Sequence, residues 1–285
     1  MRGWLKFLVS NIIKILKENE FNFCRSWHSG VLNIDNKFLT LFNKEFYDDY
    51  FINRTIINKN LHFNPDNKEE IEKLMHPLIK LSKEKKITLN LHIGSNQPSL
   101  EEYLILKNFK KIDEVIGLHY PNYPELCISD AQDRASKQSD QSLQILVVDN
   151  FESLKKWIGV YCLSFNIHKN KEKLIYLILK EKFNIFKFVL AEINGIGEKN
   201  KQNVGCSILF SHNDCIALYC LGALREYRHK NIATNVINYS IGYGREKRCQ
   251  IFGLQTLKSD NLLSFYQKKG FAACYSNKIY RFFDS

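Results

Sequence analysis

From Leu143 onward the apolar positions of the chain change period in a regular order. Residues 143–148 (LQILVV) form a short apolar run of strand type, and from Phe151 apolar residues recur at helical spacing with Leu154, Trp157, Ile158 and Tyr161 on one face. The runs 187–193 and 204–210 predict an antiparallel hairpin across a polar loop, 195–203. A continuous apolar run at 216–224 predicts a further strand, and a basic turn follows it. The spacing then predicts a helix from about Ile232 with Val236, Ile237, Ser240, Ile241 and Gly244 on its periodic face, a strand over 250–256, and a helix over 261–271 ended by Gly270.

The first half repeats this pattern in faded form. A helix at 71–81, a strand at 85–93 and a helix at 101–109 parallel 234–246, 248–256 and 261–271. Between the halves, 124–142 is nearly free of large apolar residues and has the composition of a linker. The expected organisation is a first domain over 1–124, a linker over 125–142 and a second domain over 143–285.

Composition narrows the class. The chain is 285 residues long, 45% hydrophobic and 13% aromatic, enough for two folded cores. Its net charge of +11 favours polyanionic partners, but Lys comes with abundant Asn and Ile, a bias that AT-rich coding also produces. The basic clusters 199–201 and 245–248 lack interleaved aromatics, so they read as solvated loop and helix end rather than as a nucleic-acid surface, and a basic nucleic-acid or membrane-surface binder rests only on net charge and the N-terminal stretch. Eight cysteines without a C-x-x-C pair fit buried reduced thiols in a cytoplasmic protein, and eight scattered histidines without ligand spacing predict no metal. The N-terminal apolar stretch 4–16 is interrupted by lysines, too short to span a bilayer and followed by no cleavage site. It reads as a helix packed on the core or as a basic helix on a membrane surface.

The densest chemistry lies in the turn. Arg228, His229 and Lys230 precede the opening of a helix, whose first backbone N–H groups have no intrahelical partners. Together they make an anion site suited to a pyrophosphate. Gly242 and Gly244 interrupt the helix that follows, and read as close packing of helix on sheet.

This order resembles the GCN5-related N-acetyltransferase (GNAT) superfamily, with its R/Q-x-x-G-x-G/A turn and its ending FY-x-x-x-GF. Arg228-x-x-Asn231-x-Ala233 follows the first motif with Asn in place of Gly, and Asn is among the residues best tolerated at positive φ. Residues 266–271 follow the second motif in full. Asn53-Arg54 in YFINRT resembles a segment of tandem GNAT proteins with a degenerate first half. The resemblance implies an α/β (α+β) fold of two tandem GNAT-like domains, each a mixed, mostly antiparallel twisted sheet flanked by helices.

It also implies an acetyl-CoA-dependent N-acetyltransferase that acts on an amine of a small molecule or protein and releases CoA. By that resemblance the backbone of Leu221, Gly222 and Ala223 holds the pantetheine arm and thioester. Arg228, His229, Lys230, Asn231, Ile232, Ala233 and Thr234 hold the pyrophosphate, and Tyr266 is the general acid. A phenol is protonated at neutral pH with an acidity near that of a thiol, which suits that role. No position specifies a base; Glu192 is the best-placed carboxylate, against the plainer reading of an exposed strand Glu. Asn261 is a weaker candidate for the pantetheine arm, since the family's Asn registers nearer Ser259. In the first half Leu104 stands where Tyr266 stands in the second, and Asp66, Glu69 and Glu70 precede the helix without an Arg-x-x-Gly turn. That half should not bind the cofactor in the same way. The competing reading is a catalytically silent module that binds CoA or a protein.

Overall fold

A computed structural model describes residues 2–28, 31–58, 61, 64–85, 88–121, 143–194 and 201–283. The expected linker, 125–142, lies outside the described residues. The elements in chain order are α1 (Arg2–Arg25), β1 (Leu32–Ile34), β2 (Phe38–Leu41), β3 (Arg54–Ile57), α2 (Lys68–Lys85), β4 (Asn90–Gly94), α3 (Pro98–Leu106) and β5 (Phe109–His119). They continue with β6 (Leu143–Val147), α4 (Phe151–Ser164), α5 (Glu172–Glu181), β7 (Phe186–Asn194), β8 (Lys201–His212) and β9 (Cys215–Ala223). The chain closes with α6 (Ile232–Glu246), β10 (Ile251–Leu257), α7 (Leu263–Lys268) and β11 (Ala272–Phe282).

Two compact units interleave along the chain. One comprises Phe21–Gly117, Thr256–Phe265 and Ala273–Ser285; the other comprises Met1–Glu20, Leu118–Gln255 and Tyr266–Ala272. We call them the N-terminal and C-terminal units after the half that supplies most of each. Both show the mixed, mostly antiparallel sheet that the sequence predicts.

In the N-terminal unit β1, β2 and β3 are antiparallel neighbours, β3 and β4 run parallel, and β11 pairs antiparallel with β4. Parallel neighbours need a crossover, which α2 supplies. Ile71, Leu74, Met75 and Leu78 of α2 bury at helical spacing against Phe38, Leu91, Phe109 and Phe282. The strand β11 is not among the elements expected from the sequence, which end at 271. The helix expected at 101–109 runs 98–106 instead, since Asn108 turns left-handed at φ 63 and Phe109 opens β5.

The C-terminal unit repeats the scheme. β6, β7, β8 and β9 are antiparallel neighbours, and β9 and β10 run parallel across the crossover helix α6. The predicted faces bury: Leu154, Trp157, Ile158 and Tyr161 of α4, and Val236, Ile237, Ser240, Ile241 and Gly244 of α6. Trp157 stacks on Tyr161 and donates from Nε1 to the carbonyl of Ser207 at 2.9 Å. Gly242 departs from its expected role, since a Cβ there would have nothing within 4 Å. It is not a packing glycine.

The part of α1 in this unit packs on the sheet. Leu16 is fully buried and fills the space above Gly253, while buried Asn19 donates to the carbonyls of Phe210 (3.2 Å) and Cys215 (3.3 Å) and accepts from Tyr219 Oη (2.8 Å). Within the stretch 4–16 Leu16 packs on the core, while Val9, Ser10, Asn11 and Lys14 are exposed. Among the described residues no helix is long and apolar enough to cross a membrane.

Candidate functional site

Two parallel strands part company at the centre of the C-terminal unit. β9 and β10 pair at Cys215–Ile251, Ile216–Phe252, Ala217–Gly253 and Leu218–Leu254, where the register ends. β9 nevertheless runs on to Ala223. On its other side it stays joined to β8, with Gly222 opposite Cys206 and Ala223 opposite Gly205. Between these pairs and Tyr219–Ile208 the register shifts, so that Cys220 and Leu221 stand against Ser207 alone, and Cys220 is left-handed at φ 53. A bulge of this kind increases local twist and swings a strand aside. Beyond Leu218, β9 therefore follows β8 away from β10 and leaves the edge of 219–223 open.

The turn after β9 ends on α6. A 3₁₀ turn over Arg225–Tyr227 leads to Arg228 in extended conformation, then His229 at φ 64 and Asn231 at φ 58, both left-handed. Asn231 is the N-cap of α6 and adopts the backbone conformation for which the family motif has Gly, but its side chain caps no amide. Left-handed residues in such a turn point successive N–H groups into one concavity. The first-turn amides of α6 are without a side-chain cap, beside exposed His229 and Lys230. Lys230 lies over the Tyr227 ring at 4.8 Å, and Tyr227 donates to Gln202 Oε1 at 2.6 Å.

Arg228 points elsewhere. Its Nη2 donates to the carbonyl of Ser164 at 3.3 Å and its Nε to that of Ala223 at 3.5 Å, tying the end of α4 to the end of β9. A cation at a helix C-terminus is favoured by the dipole and by the unpaired carbonyls there. Gly222 is closely approached by the end of α4: a Cβ there would stand 2.7 Å from Ser164 Cβ and 2.9 Å from Phe165 Cε2. Neither partner was deducible from the sequence, which marks a glycine but not what leans on it.

Tyr266 lies in α7 and is buried, with its ring edge-on to Phe271 at 6.1 Å. The helix ends as predicted. Gly270 is at φ 93, Phe271 N–H bonds the carbonyl of Tyr266 (3.1 Å) and Gly270 N–H that of Gln267 (3.0 Å), the Schellman arrangement. Glu192 of β7 is buried rather than exposed. It faces the α4 side of the sheet, four residues from Phe188, whose ring meets Trp157 at 5.2 Å. Its carboxylate lies 2.9 Å from Lys201 Nζ, a charge contact without hydrogen-bond alignment.

Leu221, Gly222, Ala223, the turn 228–234, Glu192 and Tyr266 all belong to the C-terminal unit, whereas Asn261 belongs to the N-terminal one. Asn261 is left-handed at φ 56 and donates to the carbonyl of Ser259. Ser259, at the register of the family's Asn, is engaged with Asp113: its N–H lies 3.2 Å from Oδ1 and its hydroxyl 2.5 Å from Oδ2. Tyr50 donates to the same carboxylate at 2.7 Å. Burial and that bond push the Tyr50 phenol up to about 12. Among the described residues no group of three or more His, Cys, Asp or Glu could hold a metal ion, and the seven described cysteines are free thiols.

The splayed parallel pair and the turn fall within residues 164–271, and these match the model of the acetyltransferase (GNAT) family. This segment is a GNAT domain. Solved structures align with most of the chain. A GCN5-related N-acetyltransferase from Kribbella flavida aligns at a TM-score of 0.60 and 11% identity, over 93% of this chain and 96% of that one. A functionally unknown conserved protein from Staphylococcus epidermidis ATCC 12228 aligns at 0.60 and 14%, over 88% and 93%. A tandem GNAT protein from the clavulanic acid biosynthesis pathway aligns at 0.56 and 9%, over 80% and 74%. At such identities the likeness is one of fold, and the fold is that of two tandem GNAT-like domains. No curated protein matches the chain.

The two domains differ where it matters for an anion. In the N-terminal domain Asn67 Oδ1 accepts from the amides of Glu69 (3.0 Å) and Glu70 (3.3 Å), while Glu70 accepts from Asn64 N–H (2.7 Å) and Asn67 Nδ2 (3.3 Å). The start of α2 is thus closed by its own cap, carboxylate included. Leu104, which the sequence register sets opposite Tyr266, is a fully buried core residue.

Proposed function

We propose that the C-terminal GNAT domain transfers an acetyl group from acetyl-CoA to an amine. The observation that carries this reading is the end of the β9–β10 ladder at Leu218–Leu254, followed by an open strand edge that leads to an uncapped helix N-terminus. An extended amide-bearing arm ending in a diphosphate suits such a site: the edge offers N–H and C=O groups, and the helix start offers N–H groups and partial positive charge.

The donor, when bound, supplies an activated acyl thioester. The backbone of Leu221, Gly222 and Ala223 holds and orients its acyl end. Amides of Arg228, His229, Lys230, Asn231, Ile232, Ala233 and Thr234 hold its diphosphate, with the Thr234 hydroxyl as a further donor. Tyr266 delivers its phenolic proton to the departing sulfur. Glu192 takes the proton of the attacking amine, directly or through water, once Lys201 is displaced from it.

One observation favours the silent module instead, namely that the carboxylate of Glu192 is already engaged by Lys201. A screen of amines with acetyl-CoA, following thiol release, separates the two. Release with any acceptor above the hydrolysis background supports the enzyme, and binding of acetyl-CoA without release by any acceptor supports the module.

A further inference from the structure

On the reading of the β9 edge as an acyl-donor site, we propose that Phe165, seated with Ser164 against Gly222, is the wall that limits the length of the acyl group. An acyl chain that reaches the bulge along the open edge of β9 can turn toward one face of the sheet or the other. The α6 face is shut: a Cβ on Gly205 would stand 2.5 Å from Ile232 Cγ2 and 3.3 Å from the carbonyl of Gly222. That leaves the α4 face. There Ser164 and Phe165 already occupy the space a side chain at position 222 would take.

This wall is held from behind. The Phe165 ring packs on Tyr161 at 5.0 Å, and Tyr161 stacks on the fully buried Trp157 at 5.1 Å. Backbone bonds fix the same segment, from Phe165 N–H to the carbonyl of Tyr161 (3.1 Å) and from Ile167 N–H to that of Cys162 (2.8 Å). Arg228 grips the carbonyl of Ser164. Phe165 is nevertheless 45% exposed, so part of its ring is left uncovered by the protein. A side chain of large volume, backed by packed aromatics and bare on one side, discriminates by size: a surplus methylene at a packed wall is worth roughly 10–200-fold.

The test is calorimetric titration of the full chain with CoA, acetyl-CoA and butyryl-CoA. The wild type should bind acetyl-CoA at least about tenfold more tightly than butyryl-CoA. Phe165→Ala should bring the two thioesters to within roughly threefold of each other, while CoA, which carries no acyl group to meet the wall, keeps its affinity. Should Phe165→Ala lose its far-UV circular dichroism, Phe165→Leu keeps an apolar side chain there and should relax the ratio in the same direction. A wild type with no preference between the thioesters, or a ratio unmoved in the folded variant, overturns the wall while CoA binding leaves the donor site standing. A wild type that binds none of the three overturns the donor site, and the wall with it.

Discussion

The guanidinium of Arg228 donates to the carbonyl of Ser164 at 3.3 Å, so the Arg of the turn motif serves the C-terminus of α4 rather than standing free before α6. On the proposed reading the anion site is then built from backbone amides, with the exposed His229 and Lys230 beside it. Reversing both charges, Arg228→Glu with Lys230→Glu, puts two carboxylates at the helix start and breaks the tie to Ser164. Acetyl-CoA at 100 to 1,000 times its Kd should stabilise the wild type by about 3–4 kcal/mol, read as a rise in Tm, and the double variant should show no rise. An unchanged rise would place the cofactor elsewhere.

Stoichiometry tests the contrast between the two helix starts. α2 opens under a cap made by Asn67 and Glu70, while α6 opens on Asn231 with no side-chain cap. Calorimetry should therefore find one CoA per chain. Two equivalent sites would show that the closed cap of α2 yields to the ligand.

The C-terminal domain was largely legible in the sequence because its strands and helices carry uninterrupted periods and its turns carry Gly and Asn at positions of positive φ. Gly270 and Asn231 are the clearest cases, the first at φ 93 and the second at φ 58. What escaped was long-range. Nothing local marks Cys220 as the left-handed residue of a bulge, Arg228 as the partner of Ser164, or Asp113 as the partner of Ser259 across 146 positions. Nor does the sequence of 272–282 show that it completes the N-terminal unit, since that depends on which edge of β4 is vacant.

Gly242 follows from the same comparison. It was read as a packing glycine, yet a Cβ there meets nothing within 4 Å, and the residue sits inside α6. Gly242→Ala should raise stability by roughly 0.5–1 kcal/mol, measured as a higher urea midpoint with an unchanged m-value. A loss of stability would mean that the helix surface at this point is needed bare.

Two histidines of the N-terminal unit set a pH dependence. Burial pushes His28 down to about 4, with Nδ1 3.0 Å from the carbonyl of Cys24. Burial and the charge of Arg54 hold His92 well below the ordinary range, with Nε2 2.9 Å from the carbonyl of Tyr50. In the unfolded chain both take up protons near 6.5. As pH falls from about 6.5 toward 4 the unfolded state binds protons that the folded state refuses, so stability is full above this window and is lost through it. The urea midpoint should fall between pH 7 and pH 5, and fall less in His28→Gln with His92→Gln. Equal losses in both proteins would assign the effect to other groups.

Tyr266 separates the enzyme from the silent module. Tyr266→Phe keeps the ring that meets Phe271 and the backbone bonds that close α7, and removes only the hydroxyl. If that hydroxyl protonates the departing sulfur, acetyl-CoA affinity should persist while turnover falls. General acids contribute roughly 10²–10⁴-fold, and the loss should appear mainly in kcat with KM for acetyl-CoA little changed. A drop in Tm alone, with kcat kept at more than about a third of the wild-type value, would make Tyr266 a packing residue and assign the proton to water, since such a remnant lies far above what removal of a general acid leaves.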